Sequence, residues 1–283
     1  LTALNHLYSC APGFLFPNLE FQDRLDAVAA TGIQRVELWA RTDRYADLHP
    51  ECDHPEKIRA ALSQRGLSVS SLGAHTSRGR AEVEKALLLA AKIGAEIVVI
   101  GSKVDSLPGF LESLSKSEDL AENLGVRIAV FNHVKGLVQT RREMAILCSD
   151  TDAGFAGLSL APPHAAILGE EPSELISTLG SRILQVWLWD LLPGVPNPAE
   201  WMEIVYTRGD EQFPGAGALP FADYLSSLVR LGLAPQLNFV PHGVQDWPAE
   251  RTVEALRGSL EWLESMVDLQ DGSGEGLGPQ PGL

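Results

Sequence analysis

The feature that most constrains how this chain folds is a strand-then-helix unit that recurs along nearly its whole length. Short apolar runs such as IQRVELW, LSVSSLGAH, AEIVVIGS and VRIAVFNH alternate with segments whose apolar residues fall three and four positions apart. Gly32, Gly66, Gly94, Gly125, Gly180 and Gly232 each stand where such a segment must stop, just before the next run. Glycine there supplies the left-handed conformation that ends a helix without a Cβ penalty. Strands begin with an expected one at positions 3–9, and a single helix is expected over positions 112–124. Eight strands alternating with eight helices predict a (β/α)8 TIM barrel, an α/β fold, with residues 1–268 as one domain. The Gly/Pro-rich stretch 269–283 is expected to be a flexible extension. A doubly wound open sheet would need a glycine-rich phosphate loop after the first strand, and neither GxGxxG nor GxxxxGK[ST] is present.

Composition narrows the partners. Hydrophobic residues make up 45% of 283, ample for a barrel core. With Lys+Arg 22 against Asp+Glu 37 the formal charge is -15, so neither nucleic acid nor an anionic membrane surface is expected as a partner. No apolar run reaches the ~18 residues of a membrane span. Cys10, Cys52 and Cys148 are widely spaced and outside any CxxC pattern, which predicts a reducing, cytoplasmic setting without disulfides or a thiolate metal site.

In such a barrel, chemistry lives at the carboxyl ends of the strands. The seventh run, RILQVWLWD, puts Leu184, Val186 and Leu188 on one face and Gln185, Trp187 and Trp189 on the other, with Asp190 following. That is the pattern of a pocket wall. The same rule selects Glu37, His133 and His164 as candidate acid/base groups. Trp39, His75, Phe131, Gln185, Trp187, Trp189, Asp190, Asn238 and His242 are the candidate ligand contacts. Histidines gathered at strand ends fit a metal site, proton transfer, or simply hydrogen-bonded residues of the mouth, and Glu37 could equally pair with Arg35. Neither HExxH nor GxSxG occurs, so a hydrolase reading has no support.

Five segments in order also resemble a known family. GIQRVELW is similar to its second-strand GxxxVELW, IAVFNH to its fifth-strand IAxENH, and GLSLAPPHAAILGEEP to its sixth-strand GLxLDTGHxxxxGxDP. RILQVWLWD resembles its seventh-strand RIxHVHLKD, and FPGAGALPF with LGLAPQLNFV its closing segments. The family is the xylose isomerase-like TIM barrels, sugar phosphate isomerases and epimerases whose relatives include endonuclease IV. The resemblance implies one divalent metal held by Glu, Asp, His and Glu on strands five to eight, at positions that here carry Phe131, Ala161, Trp187 and Val240. None of these side chains can ligate a hard cation. Glu37, His133, His164 and Asp190 match positions that in the family surround the metal or touch substrate. The resemblance therefore implies a preserved scaffold with an overwritten centre, without metal or other cofactor. A metal-independent or non-catalytic protein, a pseudoenzyme, is expected to bind a sugar, a polyol or a ligand with an aromatic face. The alternative is an isomerase or epimerase working through His and Glu groups, or through a divalent metal relocated to the mouth. A homo-oligomer is compatible with the family, and the sequence shows no interface.

Overall fold

Eight parallel strands pair in chain order and close on themselves as a barrel. They are β1 (Tyr8–Cys10), β2 (Arg35–Trp39), β3 (Ser68–Gly73), β4 (Ile97–Ile100), β5 (Arg127–Phe131), β6 (Ala156–Leu160), β7 (Ile183–Leu188) and β8 (Gln236–Phe239). The closing pair is β1 with β8, through Tyr8 opposite Leu237, Ser9 opposite Asn238 and Cys10 opposite Phe239. The computed structural model describes residues 6–271 except 53, 76–78, 103–104, 192–204 and 218. The expected first strand thus lies partly outside the described residues, and its described part is shifted toward Cys10.

Helices follow the strands, and the glycine stops work as the sequence implies. Helix Phe21–Thr31 ends on Gly32 at φ +89° and helix Arg80–Ile93 on Gly94 at φ +86°, both left-handed. Three local differences appear. The expected helix over 112–124 is two helices, Leu107–Ser115 and Glu118–Leu124. The second starts anew after Ser117, with Glu118 and Asp119 in its first turn, where acidic side chains meet the positive end of the helix dipole. Two short helices, Pro12–Leu15 and Pro162–Ile167, follow β1 and β6 directly; each has Pro in its first turn and is too short to show helical periodicity. The final helix runs over Ala249–Asp271. No helix among the described residues is long and apolar enough to cross a membrane.

The strands' outward residues pack with the helices in the main core, as Val36, Leu38, Val98, Val130, Leu158, Val186 and Leu188 do. A second buried cluster fills the barrel itself. Leu184 belongs to that inner cluster and not to the outward face that strict alternation predicts. The cause is a bulge: Leu158 pairs with Ile183 and Ser159 with Gln185, so Leu184 is an extra residue in β7 and resets the alternation. From Gln185 onward the expected inward set holds.

Candidate ligand pocket at the barrel mouth

Beneath the mouth lies a hydrogen-bonded polar layer. Glu37 is fully buried, and its Oε1 accepts from Trp39 Nε1 at 2.7 Å. Its Oε2 accepts from Ser71 Oγ at 2.9 Å and from Gln185 Nε2 at 2.8 Å. Gln185 Oε1 in turn accepts from Ser159 Oγ at 2.8 Å and Trp187 Nε1 at 3.1 Å. Burial raises the proton affinity of Glu37, and hydrogen bonds from Gln185, Ser71, Trp39 and Asn238 oppose that shift. One glycine makes this geometry available: a Cβ at Gly73 would stand 2.9 Å from Trp39 Cδ1 and 3.0 Å from its Nε1. The indole lies flat across β3 only because that space is empty.

Above this layer the aromatic rings form a floor. Phe131 and Trp187 have ring centroids 4.2 Å apart, Trp39 and His75 4.4 Å, and Trp39 and Trp187 5.8 Å. Their offset, tilted packing is the arrangement that ring quadrupoles favour. A cavity of about 330 Å³ opens over them. Its histidine wall is His75, His133, His164 and His242. Asn132 fixes the sixth-strand side, because its Oδ1 accepts from the Ala161 amide at 2.6 Å and its Nδ2 donates to the Ala161 carbonyl at 3.3 Å.

Two of these histidines are held in the neutral form. Burial, aided by repulsion from His133 and His242, holds His164 well below the ordinary imidazole range. Burial first and His133 second bring His242 down to about 3. The Lys135 amide donates to His133 Nδ1 at 3.0 Å, so a neutral His133 carries its ring proton on Nε2. His133 and His164 pack side by side, their ring centroids 4.2 Å apart and their planes tilted by 49°.

The structure sorts the expected site residues into two groups. Trp39, His75, Phe131, His133, His164, Trp187 and His242 line the cavity. Glu37, Gln185 and Asn238 do not; they belong to the polar layer, where Ser9 Oγ also donates to Asn238 Oδ1 at 3.0 Å. Trp189 is wholly buried behind the wall, with its ring 5.6 Å from His164 and 5.0 Å from His242. Asp190 organises a loop. Its Oδ1 accepts from the amides of Leu191 and Leu219, and its Oδ2 from those of Gly215 and Gly217 at 3.1 Å each. A Cβ at Gly217 would meet Asp190 Cγ at 2.5 Å, which explains the glycine of the FPGAGALPF segment. Sequence reasoning missed Phe14, Arg41, Ser102, Lys135 and Tyr206, which also line the cavity. Ser102 follows the fourth strand and was accessible to the strand-end rule, whereas the other four come from loops or a short helix without periodicity.

The comparisons agree with this architecture. An inosose dehydratase of Clostridium botulinum (strain Alaska E43 / Type E3) is 24% identical over 195 residues, covering 58% of this chain and 65% of the relative. The chain thus spans less than two thirds of that relative's length. An L-ribulose 3-epimerase structure superposes with a TM-score of 0.74 at 14% identity, covering 97% of this chain and 99% of that one. A xylose isomerase-like TIM barrel/4-hydroxyphenylpyruvate dioxygenase fusion protein gives 0.74 at 20% identity, over 96% of this chain and 45% of the other. At such identities the structures establish the fold. Residues 25–266 match the family model of the xylose isomerase-like TIM barrel, and the chain belongs to that family.

Proposed function

We propose that this barrel binds a small ring-bearing molecule at its mouth without a metal ion. The observation that carries this reading is the convergence of Phe131, Ala161, Trp187 and Val240 in one buried apolar cluster. These are the positions at which the family resemblance implies the metal ligands, and none of the four offers a lone pair to a hard cation. The surrounding residues do not replace them. Among the described residues, the group of three acidic, Cys or His ligand atoms within 4.8 Å of one another is Glu118, Glu122 and Asp152. That group lies on the helix before β5 and the loop before β6, away from the strands' carboxyl ends. The donor set of the mouth therefore does not fit the family's divalent metal.

What the mouth does offer is flat apolar area ringed by polar groups, the combination that binds a ring by stacking and orients it by a few hydrogen bonds. Titration of chelator-treated protein with cyclic sugars, polyols and aromatic ring compounds, followed by tryptophan fluorescence, tests the proposal. Saturable binding unchanged by added Mn²⁺ and weakened at least about tenfold in Trp187→Ala is expected. Binding that appears only with Mn²⁺ would overturn it.

A second reading has its own observation. The His133–His164 pair, 4.2 Å between ring centroids, places two imidazoles on one side of the cavity, and such a pair could move a proton on a carbonyl substrate. The curated relatives are enzymes, inosose dehydratases, so the non-catalytic form of the expectation gains no support from them. Deuterium incorporation at the carbon next to a ketose carbonyl, lost in His133→Ala, is the expected result under this reading. Its absence across ketoses that bind would remove the reading and leave the binding proposal standing.

A further inference from the structure

The cavity wall carries charge of the opposite sign to the protein as a whole. The chain has 37 acidic against 22 basic residues, yet among the described residues no Asp or Glu lines the cavity, and Arg41 and Lys135 do. The two cations differ in availability. Arg41 Nε lies 2.9 and 3.0 Å from the carboxylate oxygens of Asp43, and its guanidinium covers the Trp39 ring, so its charge is already answered. Lys135 is exposed, on a tight turn closed by the Gly136 amide donating to the His133 carbonyl at 2.8 Å. No carboxylate pairs with its ammonium among the described residues.

The turn is seated on Ser102. The Ser102 Oγ accepts from the amides of Leu137 at 2.9 Å and Val138 at 3.0 Å. Both of its lone pairs are thereby used, and its own proton is what it has left to give. Ser102 is almost fully buried and lines the cavity beside Gly136, where a Cβ would approach its Oγ to 2.8 Å. His133, on the same turn, accepts the Lys135 amide at Nδ1, which puts the proton of its neutral form on Nε2. Among the described residues, this side of the mouth presents donors and one positive charge without a carboxylate partner, that of Lys135.

We propose that the ligand is a ring compound bearing a single carboxylate, its ring against Phe131 and Trp187 and its carboxylate at the Ser102–Lys135 side. The inference rests on the mouth being a ligand site. A monoanion matches the one cation that, among the described residues, lines the cavity without a carboxylate partner. A phosphate monoester, with about −1.5 to −2 charges at neutral pH, would leave charge unmatched among aromatic walls. Neutral His164 and His242 supply no further positive charge.

Tryptophan fluorescence titrations of chelator-treated protein with benzoate, benzamide and phenyl phosphate separate the outcomes. Benzoate is expected to bind about tenfold more tightly than benzamide and more tightly than phenyl phosphate. Lys135→Met, an exposed change whose fold is checked by circular dichroism, should weaken benzoate about threefold and leave benzamide unmoved. Equal affinities for benzoate and benzamide overturn the carboxylate assignment and leave ring binding in place. Tighter binding of phenyl phosphate than of benzoate overturns the monoanion match. Failure of all three to bind overturns the ring-binding reading and this inference with it.

Discussion

Gly73 makes room for one of the hydrogen bonds that hold Glu37, a buried carboxylate of the barrel interior. Its missing Cβ lets the Trp39 indole lie across β3, and the indole N–H then reaches Glu37 at 2.7 Å. In Gly73→Ala the indole must tilt and give up that bond, at a cost of about 1–3 kcal/mol. Urea denaturation measures it, and an unchanged midpoint would contradict the account of the polar layer. Period-two alternation was enough to read Glu37 and Trp39 as inward residues. It could not show that Glu37 faces into the barrel beneath the cavity and not into the cavity, because Ser71 and Gln185, which fix it, come from other strands. Leu184 escaped for a related reason: a bulge depends on the pairing of two strands, and one strand's pattern does not contain it.

Asp190 does at the level of a loop what Glu37 does within the barrel. Four backbone amides converge on its carboxylate, and three of them, those of Gly215, Gly217 and Leu219, tie the glycine-rich segment to the end of β7 beside the backbone bond from Asp190 N to the Gln212 carbonyl. Burial raises its proton affinity, and the amides of Leu219, Leu191, Gly215 and Gly217 oppose that shift. Asp190→Ala leaves those amides without their acceptor and should cost at least about 1 kcal/mol. The expected signature is faster hydrogen exchange at Gly215, Gly217 and Leu219, with strand amides of β2 and β3 unaffected; uniform protection would show that other contacts hold the loop. The sequence displayed both halves of this device, a strand-end Asp and a glycine-rich segment, but not their meeting across 25 or more positions. The helix break at Ser117 and the short helices after β1 and β6 were hidden for a simpler reason, since a few residues cannot display a period.

At the scale of the whole molecule, the order of eight strands was legible because each unit repeats the same local chemistry, apolar strand, amphipathic helix and glycine stop. The depth at which His164, His242 and Asp47 are buried was not, and that burial gives the protein its pH response. His164 and His242 bind protons less readily folded than unfolded, where the imidazole value is 6.5. Their contribution is complete above pH 6.5 and lost as pH falls, for His242 down to about 3. Asp47 works in the opposite sense: burial raises it from 3.8 to about 7, so its contribution is present below its unfolded value and lost as pH rises toward neutrality. His242→Phe keeps a ring against Phe14 and Trp189 and removes one titration. Its melting temperature should fall less steeply than that of the parent between pH 6.5 and 4, and parallel curves would show that His242 does not titrate as described.

The side chains at 131, 161, 187 and 240 share one buried apolar cluster, and we propose that they make the mouth a ring-binding site in place of the metal centre that the family resemblance implies. The most direct test is the metal content of protein purified without chelator or nickel resin, followed by calorimetric titration with Mn²⁺. Far less than one transition metal per chain and no saturable Mn²⁺ binding at the mouth are expected. One tightly held metal per chain, lost in His133→Ala or His164→Ala, would contradict it.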